Sequence, residues 1–193
     1  MMHPAGQASE PVSLDANLNA LALGGLGLVL LAAYVFQFAL GEQPCPLCVL
    51  QRVAFVFAMF GFLLNARFGV QPLHYGVVLL SAAFGMMVSG RQVLLHVTPG
   101  TPHYGSALFG LHFYTWAFLL FAMMIPGTAV LLALHRGRTG APAAWQALPA
   151  WVRATCWLAA AVTLANAVTI FLQCGPIECS DDPVGWWFKG TNR

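Results

Sequence analysis

The sequence predicts an all-α integral membrane protein, a helical bundle with five transmembrane helices. Hydrophobic residues make up 59% of the 193 residues and charged residues only 7%, whereas a soluble domain carries about 25% charged residues. A soluble protein of this composition could not cover its surface with polar groups. The apolar residues also form five stretches of about 20 residues, the length that crosses the hydrocarbon layer of a bilayer.

The five spans are separated by short or polar connections. The first span contains no charged residue, while the second carries Arg52 within its first two turns. Arg52 would lie about 7 Å along that helix, shallow enough for its guanidinium to reach the membrane interface. The predicted spans are 18–40, 47–66, 73–95, 110–134 and 154–172, all in one membrane domain, followed by a tail at 173–193.

The arginines predict how the spans are oriented. The connections at 65–72 and 135–153 contain four arginines, while those at 41–46 and 96–109 contain no lysine or arginine. Because cytoplasmic loops carry an excess of basic residues, the first two connections and the N-terminus are predicted to be cytoplasmic. The other two connections and the C-terminus then face the opposite side. The N-terminal residues 1–17 lack the positive region of a secretory signal, so we do not expect one there.

Four of the five cysteines form two close pairs, which this topology places together on the non-cytoplasmic side. Cys45 and Cys48 form a Cys-x-x-Cys pair at the start of the second span, and Cys174 and Cys179 follow the fifth span. Disulfides persist in the oxidising compartment on that side of the membrane. Cys156 lies alone at the cytoplasmic end of the fifth span, where a packing role is expected for it.

The first pair has the local setting of a reactive thiol. Cys48 lies at the start of a predicted helix, where the positive end of the macrodipole favours the thiolate. Arg52 lies one turn farther along the same face, so its guanidinium adds to this effect. Arg91 and His96 end the third span on the same side and could help to hold a polar head group near the thiolate. This pattern indicates a redox centre.

Other interpretations remain open at this point. Two cysteine pairs can supply the four thiolates of a zinc site, although such sites are typical of reducing compartments. The pair in the tail can also be a structural disulfide that closes a small loop. Arg52 can serve as an interfacial anchor, and Arg91 and His96 can likewise only mark the interface. The net charge of +2 is too small to indicate a nucleic-acid partner.

Residues 45–52, Cys-Pro-Leu-Cys-Val-Leu-Gln-Arg, resemble the disulfide bond formation protein B (DsbB) family in sequence and in position at the head of the second span. The resemblance extends over the first four spans and includes residues 90–96, Gly-Arg-Gln-Val-Leu-Leu-His. It implies a DsbB-like four-helix core in the bacterial inner membrane. It also implies a thiol:quinone oxidoreductase that reoxidises DsbA, a periplasmic thioredoxin-fold dithiol oxidase, and passes the electrons to ubiquinone or menaquinone.

The resemblance also implies roles for individual residues. Cys45 and Cys48 match the quinone-linked pair of the family, with the Cys48 thiolate facing the quinone ring. Arg52 matches an arginine beside that site, and His96 a histidine near the quinone. By this resemblance the chain binds membrane quinone and a DsbA-like partner.

The chain departs from the family pattern at its second cysteine pair. The usual family has four spans and carries this pair between the third and the fourth, but residues 96–109 contain no cysteine here. Cys174 and Cys179 follow an additional span and are expected to replace the missing pair, so that they receive electrons from the partner and pass them to Cys45–Cys48. The alternative is an enzyme that, like vitamin K epoxide reductase, couples cysteine pairs to a quinone-like ring. It is disfavoured because the Cys-x-x-Cys of vitamin K epoxide reductase lies late in the chain, whereas here it follows the first span.

Overall fold

The computed structural model describes residues 14–101, 103–135, 144–177, 179–180, 183 and 185–190. Within these residues, five long helices form the predicted all-α bundle, and each is long and apolar enough to cross a membrane. The chain is therefore a multi-pass membrane protein. The helices are α1 Leu14–Ala39, α2 Pro46–Phe68, α3 Pro72–His96, α4 Phe113–Leu134 and α5 Ala150–Cys174.

Part of the orientation argument falls outside the described residues. This applies to the first thirteen residues of the N-terminal tail and to Arg136 and Arg138. Arg67 ends α2 and Arg153 lies in the first turn of α5. Both therefore lie at the end of the bundle opposite to the start of α2.

The start of α2 follows directly from the Cys-x-x-Cys sequence. Pro46 occupies the first helical position, where its missing N–H costs no hydrogen bond and its fixed φ suits the helix. Cys45 is the N-cap residue, and its Sγ accepts a hydrogen bond from the Cys48 backbone N–H at 3.1 Å. The same short sequence thus begins the helix and places Cys48 in its first turn.

The first four helices form a core in which α2 packs between α1 and α3, and α4 packs on α3. The approach of α3 to α4 depends on Gly85, because a Cβ at this position would overlap the Phe121 ring of α4. Phe121 also stacks on Phe55 of α2, with 4.1 Å between the ring centroids. One aromatic side chain therefore joins three helices at the centre of the core.

The fifth helix packs against α1 and α2 and adds Val152, Cys156, Ala159 and Val162 to the buried core. At its last turn, the Gln173 side-chain amide donates a hydrogen bond to the Pro44 carbonyl at 2.8 Å. Pro44 immediately precedes the first cysteine pair, and Gln173 immediately precedes Cys174. Both cysteine pairs therefore lie at one end of the bundle, which we call the cysteine end.

A small hairpin between α3 and α4 was not predicted from the sequence. Ala107–Leu108 (β1) pairs antiparallel with Leu111–His112 (β2). The intervening Phe109 and Gly110 have φ values of 53° and 82°, which is the backbone conformation of a tight two-residue hairpin turn. Because residues 110–112 belong to this turn and strand, α4 begins three residues after the start of the predicted fourth span.

Gly85→Ala is expected to destabilise the protein by about 1–3 kcal/mol, because the added methyl group meets the Phe121 ring in a packed interface. Gly76→Ala is the matched control, since it lies on the same helix and nothing is within 4 Å of its added Cβ. Alanine favours a helix over glycine, so the control should be equal to wild type or slightly more stable. Thermal unfolding of the detergent-solubilised proteins measures both, and equal stability of the two variants would contradict the close approach of α3 and α4.

Candidate redox site at the cysteine end

Each of the two cysteine pairs forms a disulfide, Cys45–Cys48 and Cys174–Cys179, while Cys156 is buried and unpaired. Cys45 and Cys174 are only 6% and 4% exposed, whereas Cys48 and Cys179 are half-buried. Each disulfide therefore joins one shielded residue to one more accessible residue.

The first disulfide is contacted by a buried amide from α3. The Nε2 atom of Gln92 lies 3.4 Å from the Cys45 Sγ and 3.6 Å from the Cys48 Sγ. Its Oε1 atom accepts a hydrogen bond from the Gln51 side chain at 2.7 Å. This bond fixes the orientation of the Gln92 amide, so that its N–H groups point towards sulfur. Hydrogen bonds to an ionised acceptor are stronger than those to a neutral one, so the amide favours the reduced, thiolate form of the pair.

A cavity of about 310 Å³ lies beside Cys48, between α1, α2, α4 and the hairpin segment. Its walls are mainly apolar, and include Phe36, Phe55 and Leu120. Cys48 and Arg52 both line it, as their one-turn separation on α2 predicts. An apolar cavity with a few polar groups is the usual form of a small-molecule site.

Arg52 supplies a buried positive charge to this cavity. It is 8% exposed, and no carboxylate among the described residues pairs with it. Its guanidinium donates to the Gln37 Oε1 at 2.7 Å and to the Ala33 carbonyl at 3.4 Å. It also lies over the Tyr34 ring, 5.4 Å from the centroid. Because these partners are neutral, the charge remains available to an anion in the cavity.

Two further amide atoms in the cavity lining lack a partner. The Nε2 of Gln37 and the Oε1 of Gln43 are buried and have no hydrogen-bond partner among the described residues. Buried polar atoms are nearly always paired, so an unpaired donor and acceptor in one cavity indicate a polar ligand. The sequence analysis did not single out Gln37, although a lone amide near the end of an uncharged span is a signal that could have identified it.

A second cavity, of about 150 Å³, lies on the Cys45 side of the disulfide and is also lined by Gln92, His96 and Tyr104. The structure places His96 here, with its Nδ1 2.8 Å from the Gln92 carbonyl oxygen. His96 does not line the larger cavity beside Cys48, where the family resemblance had suggested it. Arg91 is exposed and lines neither of these cavities.

Hydrogen bonds hold the segment between α3 and α4 against this site. The Tyr104 hydroxyl donates to the Gln43 carbonyl at 2.6 Å. The Glu42 carboxylate accepts from the Ser106 backbone N–H at 3.0 Å and from its hydroxyl. Tyr104 lines both cavities, so these contacts close the site on the side away from the helix core.

Residues 16–105 match the family described as disulfide bond formation protein DsbB. The matched segment contains the first cysteine pair, Arg52 and Gln92, which form the centre of the site. Over this segment, the chain is similar to the DsbB family. The fifth helix and the Cys174–Cys179 disulfide lie beyond the matched residues.

Individual relatives agree with this assignment. Disulfide bond formation protein B 1 of Pseudomonas putida is 41% identical over 81 residues, 38% of this chain and 48% of that protein. Disulfide bond formation protein B of Pseudomonas syringae is 40% identical over 82 residues, with the same two coverages. The protein of that name from Burkholderia thailandensis is 29% identical over 151 residues, 58% of this chain and 89% of its own length. The match thus spans about half the length of the two Pseudomonas relatives. No solved structure matches the chain.

Gln92→Leu is expected to make the Cys45–Cys48 disulfide about tenfold harder to reduce at equilibrium. The substitution removes an amide donor to the sulfurs, and a hydrogen bond to a charged group contributes about 1.5–3 kcal/mol. The measurement is thiol trapping after equilibration with dithiothreitol redox buffers. Gln146→Leu is the control, because this exposed glutamine lies before α5 at the opposite end of the bundle. An unchanged equilibrium in Gln92→Leu would show that the amide does not stabilise the thiolate.

Proposed function

We propose that the chain is a protein-dithiol:quinone oxidoreductase of the bacterial inner membrane that supports disulfide bond formation. In this proposal it reoxidises a DsbA-like periplasmic thioredoxin-fold protein and passes the electrons to ubiquinone or menaquinone. One observation carries the proposal: the Cys45–Cys48 disulfide lies between an apolar cavity with a buried cation and a second, more polar cavity. A lipid-soluble oxidant and a water-soluble dithiol can therefore act on opposite sides of one disulfide.

The larger cavity suits a quinone. A quinone is an apolar ring with two carbonyl oxygens, and when bound it accepts two electrons and two protons. The apolar walls fit the ring, while the unpaired Gln37 amide and the Arg52 guanidinium can donate to an oxygen. In the reduced protein, Arg52 and the start of α2 stabilise the Cys48 thiolate. Arg91 and His96 are not needed for this binding set, and we assign His96 to the Cys45 side of the pair.

The second disulfide suits the role of relay. The partner's thiolate attacks the more accessible Cys179 sulfur, forming a mixed disulfide and releasing Cys174 as a thiolate. Cys174 lies beside the Gln173–Pro44 contact and attacks the Cys45 sulfur, which breaks the Cys45–Cys48 bond and releases the Cys48 thiolate. The partner's second thiolate resolves the mixed disulfide, which oxidises the partner and releases Cys179 as a thiolate. Cys179 then attacks Cys174, displaces the Cys45 thiolate and restores the second disulfide, so two electrons have reached the first pair.

The position of the two cysteine pairs also predicts how the protein is oriented in the membrane. The second pair needs access to a periplasmic dithiol, so the proposal places the cysteine end at the periplasmic face. The N-terminus then lies in the cytoplasm and the tail after α5 in the periplasm. Arg67 and Arg153, at the opposite end of the bundle, agree with the excess of basic residues in cytoplasmic loops.

A zinc site built from the four cysteines is the alternative of a different class. It is disfavoured because the uncompensated Arg52 cation lines the same cavity as Cys48 and would oppose a second cation there. Metal analysis of the reduced protein distinguishes the two functions. Stoichiometric zinc with four unreactive thiols would contradict the redox proposal.

Cys174→Ser is expected to accumulate a mixed disulfide with the partner, because Cys179 can still exchange with it while the thiol that resolves it within the chain is absent. Cys179→Ser should accumulate far less, since the remaining Cys174 is shielded. Non-reducing electrophoresis after mixing with an oxidised DsbA-like protein measures both adducts. Cys156→Ser serves as the control for loss of an unpaired thiol. Partner oxidation at the wild-type rate by Cys174→Ser would exclude the relay.

Arg52→Met is expected to lower kcat/KM for quinone reduction by about 10–100-fold, because it removes a charged donor worth about 1.5–3 kcal/mol from the cavity. The assay follows the absorbance of a short-chain quinone with dithiothreitol as the electron source. Arg153→Met is the matched control at the opposite end of the bundle and should reduce quinone at the wild-type rate. Equal activity of the Arg52 and Arg153 variants would remove the larger cavity from the proposed reaction.

A further inference from the structure

We propose that Tyr34 is a positioning residue for Arg52, and that the additional helix α5 sets the position of Tyr34. Through this contact, α5 affects the reduction potential of the Cys45–Cys48 pair as well as carrying the second disulfide. The part that concerns quinone affinity rests on the proposed function, whereas the part that concerns the disulfide does not.

Tyr34 connects α5 to the buried cation. It is 8% exposed and lies on α1, with the Arg52 guanidinium over its ring at 5.4 Å from the centroid. Its hydroxyl lies 3.3 Å from the Asn166 Oδ1, to which it donates, and 3.2 Å from the Thr169 Oγ1. Thr169 in turn donates to the Ala165 carbonyl at 2.8 Å within α5. The ring is therefore held at its hydroxyl by α5 and contacts the cation with its face.

Arg52 needs such a support because of where it lies. It is near the start of α2, and a long basic side chain in that position readily extends to the aqueous interface. No carboxylate among the described residues holds it in the cavity. Its neutral partners all come from one short stretch of α1, namely Ala33, Tyr34 and Gln37. A cation over an aromatic face is held more strongly when it is desolvated, so the Tyr34 ring adds a third constraint on the guanidinium to the two hydrogen bonds.

The position of the guanidinium determines how well it stabilises negative charge on Cys48. If Arg52 leaves the cavity, the reduced form of the pair loses that stabilisation, and the disulfide becomes harder to reduce. The cavity also loses a donor for a bound quinone. If Tyr34 only maintained the packing of α1 against α5, substituting it would not change the disulfide equilibrium. It would also not raise the quinone KM more than it lowers kcat.

The test uses the full chain with Cys174→Ser and Cys179→Ser, so that only the first pair exchanges with the redox buffer. Tyr34→Leu removes the aromatic face and is expected to shift the equilibrium with dithiothreitol about tenfold towards the disulfide, which is about 30 mV for a two-electron couple. Tyr34→Phe keeps the face but loses the hydroxyl, and should shift it about threefold. The double variant Asn166→Leu/Thr169→Val should give the same threefold shift, and adding Tyr34→Phe to it should give no further change.

Thr155→Val is the matched control. It changes threonine to valine on the same helix, beside Gly24 of α1, but 14 residues from Thr169 and so about 21 Å along α5. It should leave the equilibrium unchanged. An unchanged equilibrium in Tyr34→Leu overturns the proposal. If Tyr34→Leu fails to fold, independent and additive shifts from Tyr34→Phe and the α5 variants overturn it in the same way.

Quinone reduction by otherwise wild-type chains separates this proposal from the proposed function. With dithiothreitol as donor and a short-chain quinone as acceptor, Tyr34→Leu should raise the quinone KM about tenfold while kcat falls less than threefold. Shifts in the disulfide equilibrium without any quinone reduction by the wild type would retain the positioning role and reject the proposed function. If the wild type reduces quinone but Tyr34→Leu changes neither the disulfide equilibrium nor the quinone KM, the proposed function is retained and the positioning role is rejected.

Discussion

The site depends on one buried positive charge that no carboxylate among the described residues neutralises. A guanidinium in a low-dielectric interior is costly unless it is hydrogen-bonded or paired, and here it is held by an amide, a backbone carbonyl and an aromatic face. These neutral partners keep Arg52 in place without cancelling its charge. A carboxylate partner would instead have neutralised the guanidinium. Glu42 also lines the cavity, but its carboxylate accepts hydrogen bonds from Ser106 and not from Arg52, so the guanidinium remains available to an anion beside Cys48.

The second constraint is the way in which α2 begins. Pro46 starts the helix and Cys45 caps it, so Cys48 falls in the first turn and Arg52 one turn later. The same spacing turns both side chains towards one cavity, while the N-cap residue lies at the other. Backbone geometry therefore separates the two sulfurs of the disulfide into different environments. Gln92 from α3 then contacts both sulfurs and completes the site.

Much of this arrangement could be predicted from the sequence, because it depends on local or one-dimensional patterns. The five helices follow from apolar stretches of membrane length, and the shared cavity of Cys48 and Arg52 follows from helical periodicity. Gln37, Gln92, Tyr34 and Asn166 could not be assigned in this way, since their roles depend on which helices are neighbours. Which cavity His96 lines depends on the same neighbours. It ends α3 near the pair, but the rotation of that helix turns it towards Cys45 rather than towards the larger cavity.

The contact between Gln173 and Pro44 has a kinetic consequence. It holds the end of α5 against the residue that precedes the first pair, so the two disulfides cannot diffuse apart. In the proposed relay, exchange between them is a unimolecular step, whose rate depends on their effective concentration and does not fall when the protein is diluted in the membrane. In that proposal, only the encounters with the partner and with the quinone depend on concentration. Because the end of α5 carries the second pair, the fold itself keeps the two pairs near each other, and their meeting does not depend on diffusion.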